Sequence, residues 1–201
     1  MLKLRMRERG VTLIELLIGL TLIGIIMMLA MPSMSTMMQN RQIRSEAEAI
    51  RTGAQYARNE ALRRNRSVTF AMSSDGGWTV GCNPADTTLV NGEQKCPALI
   101  LVQAATAGTH NAVFTAKEKQ SDGTDAGTAI FTGTLMFTAL GRVDSTTLTT
   151  GNTADLEITN PTGGACALDG GEMRCLRVTI TSVGQVRMCD PAAASGDPRA
   201  C

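Results

Sequence analysis

Histidine and aromatic residues are scarce in this 201-residue chain. The single histidine, His110, cannot supply a multi-histidine metal site. One Trp, one Tyr and four Phe leave few platforms on which single-stranded nucleic acid could stack. No Ser/His/acid set, phosphate-binding loop or dinucleotide fingerprint is recognisable. We therefore expect a protein that is not an enzyme and that carries no cofactor and no metal.

Positive charge is also scarce in the C-terminal two thirds of the chain. Residues 67–201 hold eight Lys and Arg against thirteen Asp and Glu, a balance of −5. A protein that binds nucleic acid through bulk charge has the opposite sign. The first ten residues, in contrast, carry four basic side chains against Glu8. Any contact with DNA would therefore need a local basic patch.

All six cysteines follow the long apolar segment, and their number is even. This placement favours disulfides in an oxidising compartment over free thiols. No Cys-x-x-Cys spacing supports a zinc or thioredoxin-like site. Several connectivities are open, and pairing of neighbours along the chain closes three short loops, Cys82–Cys96, Cys166–Cys175 and Cys189–Cys201.

The segment from Leu16 to Asn40 contains no charged residue. As a helix it is long enough to cross a hydrocarbon core of about 30 Å. The basic residues before it predict a cytoplasmic N-terminus and an exported remainder. A secretory signal would have a shorter apolar region followed by a small-residue cleavage site. Glu15 directly precedes this segment. A carboxylate in or near a membrane is energetically costly, so we expect it to have a partner of opposite charge.

The stretch Gly10-Val-Thr-Leu-Ile-Glu15-Leu-Leu-Ile resembles the type IV prepilin motif. The resemblance implies that a prepilin peptidase cuts after Gly10 and methylates the new N-terminal residue, Val11. It implies that Glu15 neutralises the freed amine, on its own or a neighbouring subunit, during filament assembly. Pro32 falls where pilin helices often carry a kinking proline. Val11 departs from the family's usual Phe.

These features divide the chain into four parts. Residues 1–10 are a leader, and residues 11–34 are a transmembrane and filament-core helix. Residues 35–66 are an amphipathic continuation of that helix, and residues 67–201 are a β-rich periplasmic head. The implied partners are prepilin peptidase, other pilins or pseudopilins, and the inner membrane, which the chain crosses once before it joins a filament.

The amphipathic part has one apolar stripe and one basic row. Apolar residues recur at helical spacing and predict a face packed on a sheet; they are Ile43, Ala47, Ile50, Ala54, Ala57 and Ala61. Arg44, Arg51 and Arg58 recur every seven residues on another face. This row is either a solvated helix face or a contact with acidic faces of neighbouring subunits.

Beyond Arg66 the pattern changes to short strands separated by polar turns. The predicted strands are Val68–Met72, Trp78–Cys82, Leu99–Val102, Ala112–Ala116, Ala129–Phe131, Leu135–Thr138 and Asp155–Thr159. Residues 117–128 and 145–153 read as exposed loops.

A final hairpin is clearest, with Leu176–Thr181 as its first strand and a turn that ends at Gly184. Its alternation predicts Arg187 opposite Thr179 and diagonal to Arg177. Arg177 and Arg187 should then share an exposed face, with Cys189 on the same side.

Two stretches of the head resemble the GspH/FimT family of minor pilins and pseudopilins, which includes FimU-like proteins. They are Ala57-Arg-Asn-Glu-Ala61 followed by Val68-Thr-Phe, and Gly184-Gln-Val-Arg187-Met-Cys189. The resemblance implies an α+β fold, a long hydrophobic N-terminal helix packed against an antiparallel β-sandwich. It implies a minor pilin or pseudopilin that joins, primes or caps a type IV pilus or a type II secretion pseudopilus.

Two other functions are weighed against this one. Some FimT-like members bind DNA in natural transformation through a C-terminal Gly-Arg-x-Arg motif, and here Gln185 replaces the first arginine. One lost cation removes about one phosphate contact, which leaves Arg187, with Arg177 beside it, as the DNA-binding candidate. A signal-anchored periplasmic domain without a filament role is the other possibility, and the prepilin motif argues against it.

Overall fold

The computed structural model describes residues 11–73, 76–104, 111–120, 123–124, 126 and 133–201, with the backbone alone for residues 29–33. The chain forms two compact units, the first ending at Met37 and the second comprising Met38–Cys201. One helix, α1 (Leu13–Arg64), contributes to both units.

In the first unit, α1 presents an almost continuous apolar surface. Its large side chains are exposed from Leu13 to Met28, which are both 80% exposed. Within the part of the chain that the structure describes, no helix combines the length and the apolar character needed to cross a membrane. The predicted segment 11–34 includes residues 29–33, whose side chains lie outside the described part.

In the second unit, α1 packs through its predicted apolar stripe. All six stripe residues, Ile43, Ala47, Ile50, Ala54, Ala57 and Ala61, are at most 1% exposed. Gly53 brings the helix close to the sheet, because a Cβ there would collide with the rings of Phe70 and Trp78. The helix ends at Arg64, and Asn65 follows with φ of 52°, a conformation that asparagine tolerates at a helix C-terminus.

The basic row does not behave as one face. Arg44 forms a surface ion pair with Glu48 at 2.9 Å, and Arg51 is exposed. Arg58 is half-buried and donates from Nε to the carbonyl oxygen of Gly141 at 3.0 Å. Arg58 therefore joins the helix to the head and is not part of a solvated row.

The head consists of two four-stranded antiparallel sheets and a separate hairpin. The strands are β1 Val68–Met72, β2 Trp78–Cys82, β3 Asp86–Val90, β4 Glu93–Cys96, β5 Leu101–Gln103, β6 Val113–Lys119, β7 Thr134–Phe137, β8 Thr153–Thr159, β9 Leu176–Thr181 and β10 Val186–Cys189. The first sheet has the order β5-β2-β1-β7, the second has the order β10-β9-β8-β6, and the hairpin is β3-β4. Side chains from α1 and from both sheets form one core. The predicted α+β fold, a helix packed on antiparallel sheets, is confirmed.

Several strand boundaries differ from the prediction. β1 and β2 have the predicted bounds. The predicted loop at residues 117–128 is wrong at its start, because β6 continues to Lys119 in register with β8. The hairpin β3-β4 was not predicted; its strands are mostly polar and exposed, and they meet at Asn91-Gly92, where both residues have positive φ. The predicted strand Ala129–Phe131 lies outside the described residues.

Three disulfides join neighbouring cysteines along the chain. They are Cys82–Cys96, Cys166–Cys175 and Cys189–Cys201, with Cα–Cα distances of 5.6, 5.5 and 5.0 Å. The first ties β2 to β4, and the last closes a C-terminal loop over the outer side of β10. This is the pairing that closes the shortest loops.

Candidate functional site

The first turn of α1 carries the chemistry expected of the N-terminal segment. Thr12 precedes the helix, and its hydroxyl accepts a hydrogen bond from the backbone N–H of Glu15 at 3.3 Å. The spacing Thr-x-x-Glu is that of a capping box, which satisfies donors at a helix start. The sequence prediction did not include Thr12, although this spacing is the signal that identifies it.

Glu15 is thus an acid in the first turn of a helix whose neighbouring side chains are apolar and exposed. The positive end of the helix dipole favours a negative charge at this position. Gly10, the predicted cleavage site, lies outside the described residues, as does the side chain of Pro32. The helix is continuous through position 32.

The C-terminal hairpin has the predicted register. Arg187 lies opposite Thr179 and next to the pair formed by Arg177 and Cys189. The turn closes with Gly184 at φ of 80°. This part of the prediction is confirmed.

The prediction that the two arginines share an exposed face is wrong, because only Arg187 is exposed. Arg187 is exposed, and its Nη2 donates to the carbonyl oxygen of Ala200 at 2.8 Å. The side chain of Arg177 is 18% exposed, with Nε 3.7 Å from Oδ2 of Asp155. Cys189 is buried because its disulfide brings Cys201 against it. The C-terminal loop therefore covers part of the surface that the alternation of residues predicted to be open.

Gly184, the glycine of the sequence Gly-x-x-Arg, has a packing role. Its φ of 80° is unfavourable for other residues, and a Cβ would collide with the carbonyl oxygen of Gly141. The same carbonyl accepts the hydrogen bond from Arg58. The hairpin turn, the loop at Gly141 and α1 thus meet at one point, which explains the glycine without a ligand.

The outer face of the second sheet alternates in charge from strand to strand. Lys117 and Lys119 lie on β6 and Asp155 on β8, with 3.5 Å between Lys119 Nζ and Asp155 Oδ2. Arg177 lies on β9, on the other side of Asp155. Opposite charges on adjacent strands stabilise the pairing of the strands. Asp155 therefore forms an ion pair with a side chain of each neighbouring strand, Lys119 on β6 and Arg177 on β9.

The described part of the chain does not bring together a set of metal-binding side chains. No group of three or more His, Cys, Asp or Glu side chains suited to a metal ion occurs among those residues. The lone histidine, His110, lies outside them.

Comparison with known families gives two matches. Residues 46–184, more than half of the chain, match the family described as type II transport protein GspH. Residues 5–31 match the prokaryotic N-terminal methylation motif. The two matches cover residues 5–10 of the predicted leader, most of the apolar segment and most of the head.

Comparison with solved structures gives the type IV minor pilin FimU of Pseudomonas aeruginosa in two crystal forms. One form has 21% sequence identity and a TM-score of 0.46, and the alignment covers 78% of this chain and 94% of FimU. The other has 20% identity and a TM-score of 0.44, with 76% and 97% covered. No protein with a curated description matches the chain.

Proposed function

This chain belongs to the family of the type II transport protein GspH, and on that premise we propose that it is a minor pilin or pseudopilin that joins, primes or caps a filament. The filament is a type IV pilus or a type II secretion pseudopilus. Prepilin peptidase removes residues 1–10 and methylates Val11 before assembly. Such a role needs no catalytic centre in the chain itself.

One observation carries the proposal: the N-terminal methylation motif, residues 5–31, contains the start of a helix whose apolar side chains are exposed. Exposed apolar surface of this extent marks an interaction with lipid or with another protein. We propose that the helix makes both kinds of contact, one after the other. The helix lies first in the inner membrane, with the N-terminus cytoplasmic and the head periplasmic, and then in the filament core.

Glu15 controls the transfer between these two environments in this proposal. Cleavage after Gly10 leaves a cationic amine at Val11, four residues before Glu15. A carboxylate in a medium of low dielectric constant is strongly penalised unless a cation compensates its charge. Pairing of Glu15 with the amine of a neighbouring subunit therefore favours the docked position of the incoming helix.

The alternative function, DNA binding, gains no support from the arginine geometry. The guanidinium of Arg187 is bonded to the C-terminal loop, and Arg177 is largely buried beside Asp155. Gln185 takes the place of the first arginine of the Gly-Arg-x-Arg motif. The head also carries a net negative charge, which opposes contact with a polyanion.

Substitution of Glu15 tests the filament role. We expect Glu15→Val to be processed and to remain in the membrane, with at least about tenfold less protein in sheared filaments, because the docked amine loses its partner. Immunoblots of the membrane and filament fractions measure this ratio. Glu15→Asp, which keeps the charge, should retain part of the incorporation.

A second substitution serves as the control for processing. Gly10→Ala should stay at precursor size and be absent from filaments, whereas Glu15→Val should reach the mature size. Normal filament incorporation of Glu15→Val would contradict the role given to its carboxylate.

A further inference from the structure

The segment that joins β8 to β9, residues 160–175, folds as a closed loop, which we call the strap. The disulfide Cys166–Cys175 closes it. Inside the loop, the backbone N–H of Ala167 donates to the carbonyl oxygen of Met173 at 2.7 Å. The cross-link and this hydrogen bond hold the two arms of the strap together.

The strap has little apolar surface of its own with which to keep this shape. Most of its residues are exposed, and its buried apolar side chains are Cys166, Met173 and Cys175, which are 8%, 1% and 3% exposed. Two of these three side chains are the halves of the disulfide. Burial of so few side chains does not offset the conformational entropy that is lost when the loop is ordered. The shape of the strap therefore depends on the disulfide, which limits the conformations of the open loop.

The strap is hydrogen-bonded to α1 at two places. The backbone N–H of Arg174 donates to Oδ1 of Asn40 at 2.8 Å. Nδ2 of Asn160, whose side chain is fully buried, donates to Oε1 of Gln42 at 3.1 Å. Both acceptors lie on the same turn of the helix. The two ends of the strap thus hold one turn of α1 between them.

Close packing at Gly163 adds to these hydrogen bonds. A Cβ at this glycine would collide with the side chains of Gln39 and Met173. The strap backbone therefore lies directly against α1, and Met173, the buried methionine of the strap, lies at the same contact. A larger residue at position 163 would push the strap off the helix.

This turn of α1 has no apolar contact of its own to keep it in place. Among the residues of α1 whose side chains the structure describes, 13–28 and 34–64, Ile43 is the first that is buried. Gln39, Asn40 and Gln42 precede it and are polar and half-buried. A stretch with few buried apolar contacts opens locally at a low cost in free energy. Contact with the strap is therefore what keeps this turn on the head.

We propose that the strap fastens residues 39–42 of α1 to the head only when the disulfide Cys166–Cys175 has formed. The two thiols lose two electrons and two protons to a disulfide donor of the oxidising compartment. One sulfur–sulfur bond forms in the strap, and that of the donor is reduced to two thiols. In the newly exported chain, whose cysteines are still thiols, this turn is open.

A consequence for assembly rests on the proposed function. A subunit whose helix turn is open must order that turn when it docks, and this ordering opposes binding. We infer that the subunit enters a filament efficiently only after the strap has closed. The strap itself concerns the isolated chain and does not depend on the filament role.

Hydrogen exchange of backbone amides, followed by mass spectrometry on the full chain in detergent micelles, tests the strap. Cys166→Ser combined with Cys175→Ser leaves it open. We expect the amides of residues 38–45 to exchange at least about tenfold faster than in wild type. The amides of residues 50–61, which belong to the core part of the same helix, should stay within about twofold of wild type.

A second disulfide provides the matched control. Cys82→Ser combined with Cys96→Ser removes a cross-link of sequence separation 14, against 9 in the strap, and it ties β2 to β4. This variant should leave exchange at residues 38–45 within about twofold of wild type. Mass spectrometry without reductant, showing the two remaining disulfides, checks that each double variant is folded.

A substitution on the helix tests the contact with the disulfide intact. Gln42→Ala removes the acceptor of Asn160 and should speed exchange at residues 38–45 about threefold or more. Arg41→Ala, which changes an exposed residue of the same turn and has a similar effect on helix propensity, should leave the rates unchanged. This pair decides the question if the strap variant does not fold.

Three exchange results would overturn the strap. They are wild-type rates at residues 38–45 in the folded strap variant, an acceleration of equal size at residues 38–45 and 50–61, and equal rates in Gln42→Ala and Arg41→Ala.

The consequence for assembly has its own readout, the amount of mature protein in sheared filaments. The strap variant should reach mature size and be at least about threefold less abundant there than wild type, because docking must order the open turn. Fast exchange together with wild-type incorporation would overturn this consequence alone. Absence of the wild-type chain from filaments would instead contradict the proposed function, and the exchange results would still decide the strap.

Discussion

At the scale of single residues, the junction of Arg58, Gly141 and Gly184 shows how packing can produce a motif. Arg58 reaches the carbonyl of Gly141 from α1, and Gly184 closes the hairpin turn against the same carbonyl. The backbone of Val143 also donates to Ser182 at 3.0 Å, which links the two sheets at this corner. The sequence alone predicted the left-handed glycine, but not its neighbour from a distant loop.

We therefore expect Gly184→Ala to lower the free energy of unfolding by about 3 kcal/mol or more, from a left-handed conformation and a steric collision together. Gly151→Ala is the matched control, because Gly151 has φ of 92° and open space around its Cβ position. The control should lose only about 1–2 kcal/mol, the cost of the conformation. Urea unfolding measures both values, and equal losses would show that the contact with Gly141 is unimportant.

At the scale of elements, β6 shows why a polar segment can be a strand. Lys117 and Lys119 lie on the outer face of the sheet that β6 forms with β8. Glu118 lies on the inner face and is 9% exposed. Oε1 of Glu118 accepts hydrogen bonds from the backbone N–H of Thr149 at 3.0 Å and from Nδ2 of Asn152 at 2.7 Å. Because the residues that bind Glu118 are distant along the chain, the local sequence gives no sign that this acid is buried. The sequence around Glu118 therefore predicts a loop instead of a strand.

Burial by itself would raise the pKa of Glu118, but hydrogen bonds from Thr149 and Asn152 outweigh it and hold the pKa below its ordinary value of 4.5. A lowered folded-state pKa contributes stability above the unfolded-state value and loses it as the pH falls through the folded-state value. We expect Glu118→Gln to lower the free energy of unfolding at pH 7 by about 1–3 kcal/mol. The difference from wild type should narrow below pH 4.5.

Urea unfolding at a series of pH values measures this effect. Glu93→Gln, which neutralises an exposed acid of the hairpin β3-β4, is the control and should show little loss at pH 7. A difference for Glu118→Gln that is the same at pH 7 and at low pH would contradict the role of the buried carboxylate.

Elements with regular apolar alternation were predictable from the sequence, and those held by distant contacts were not. The helix stripe and the final hairpin have periods of 3.6 and 2, which local residues encode. The hairpin β3-β4 has exposed polar strands, and the cover over Arg177 comes from residues after β10. Neither feature follows from the periodicity of its own segment.

At the scale of the whole molecule, the chain combines a unit with an exposed apolar helix and a head closed by three disulfides. The sequence predicted both parts because each depends on composition over many residues. The apolar helix is the part that the proposed function requires.

The measurement that tests this account most directly is mass spectrometry of the N-terminal peptide of the protein isolated from its native membranes and filaments. The account predicts a mature chain that begins at Val11 with a methylated amine. A chain that keeps residues 1–10, or that begins at any residue other than Val11, would contradict it.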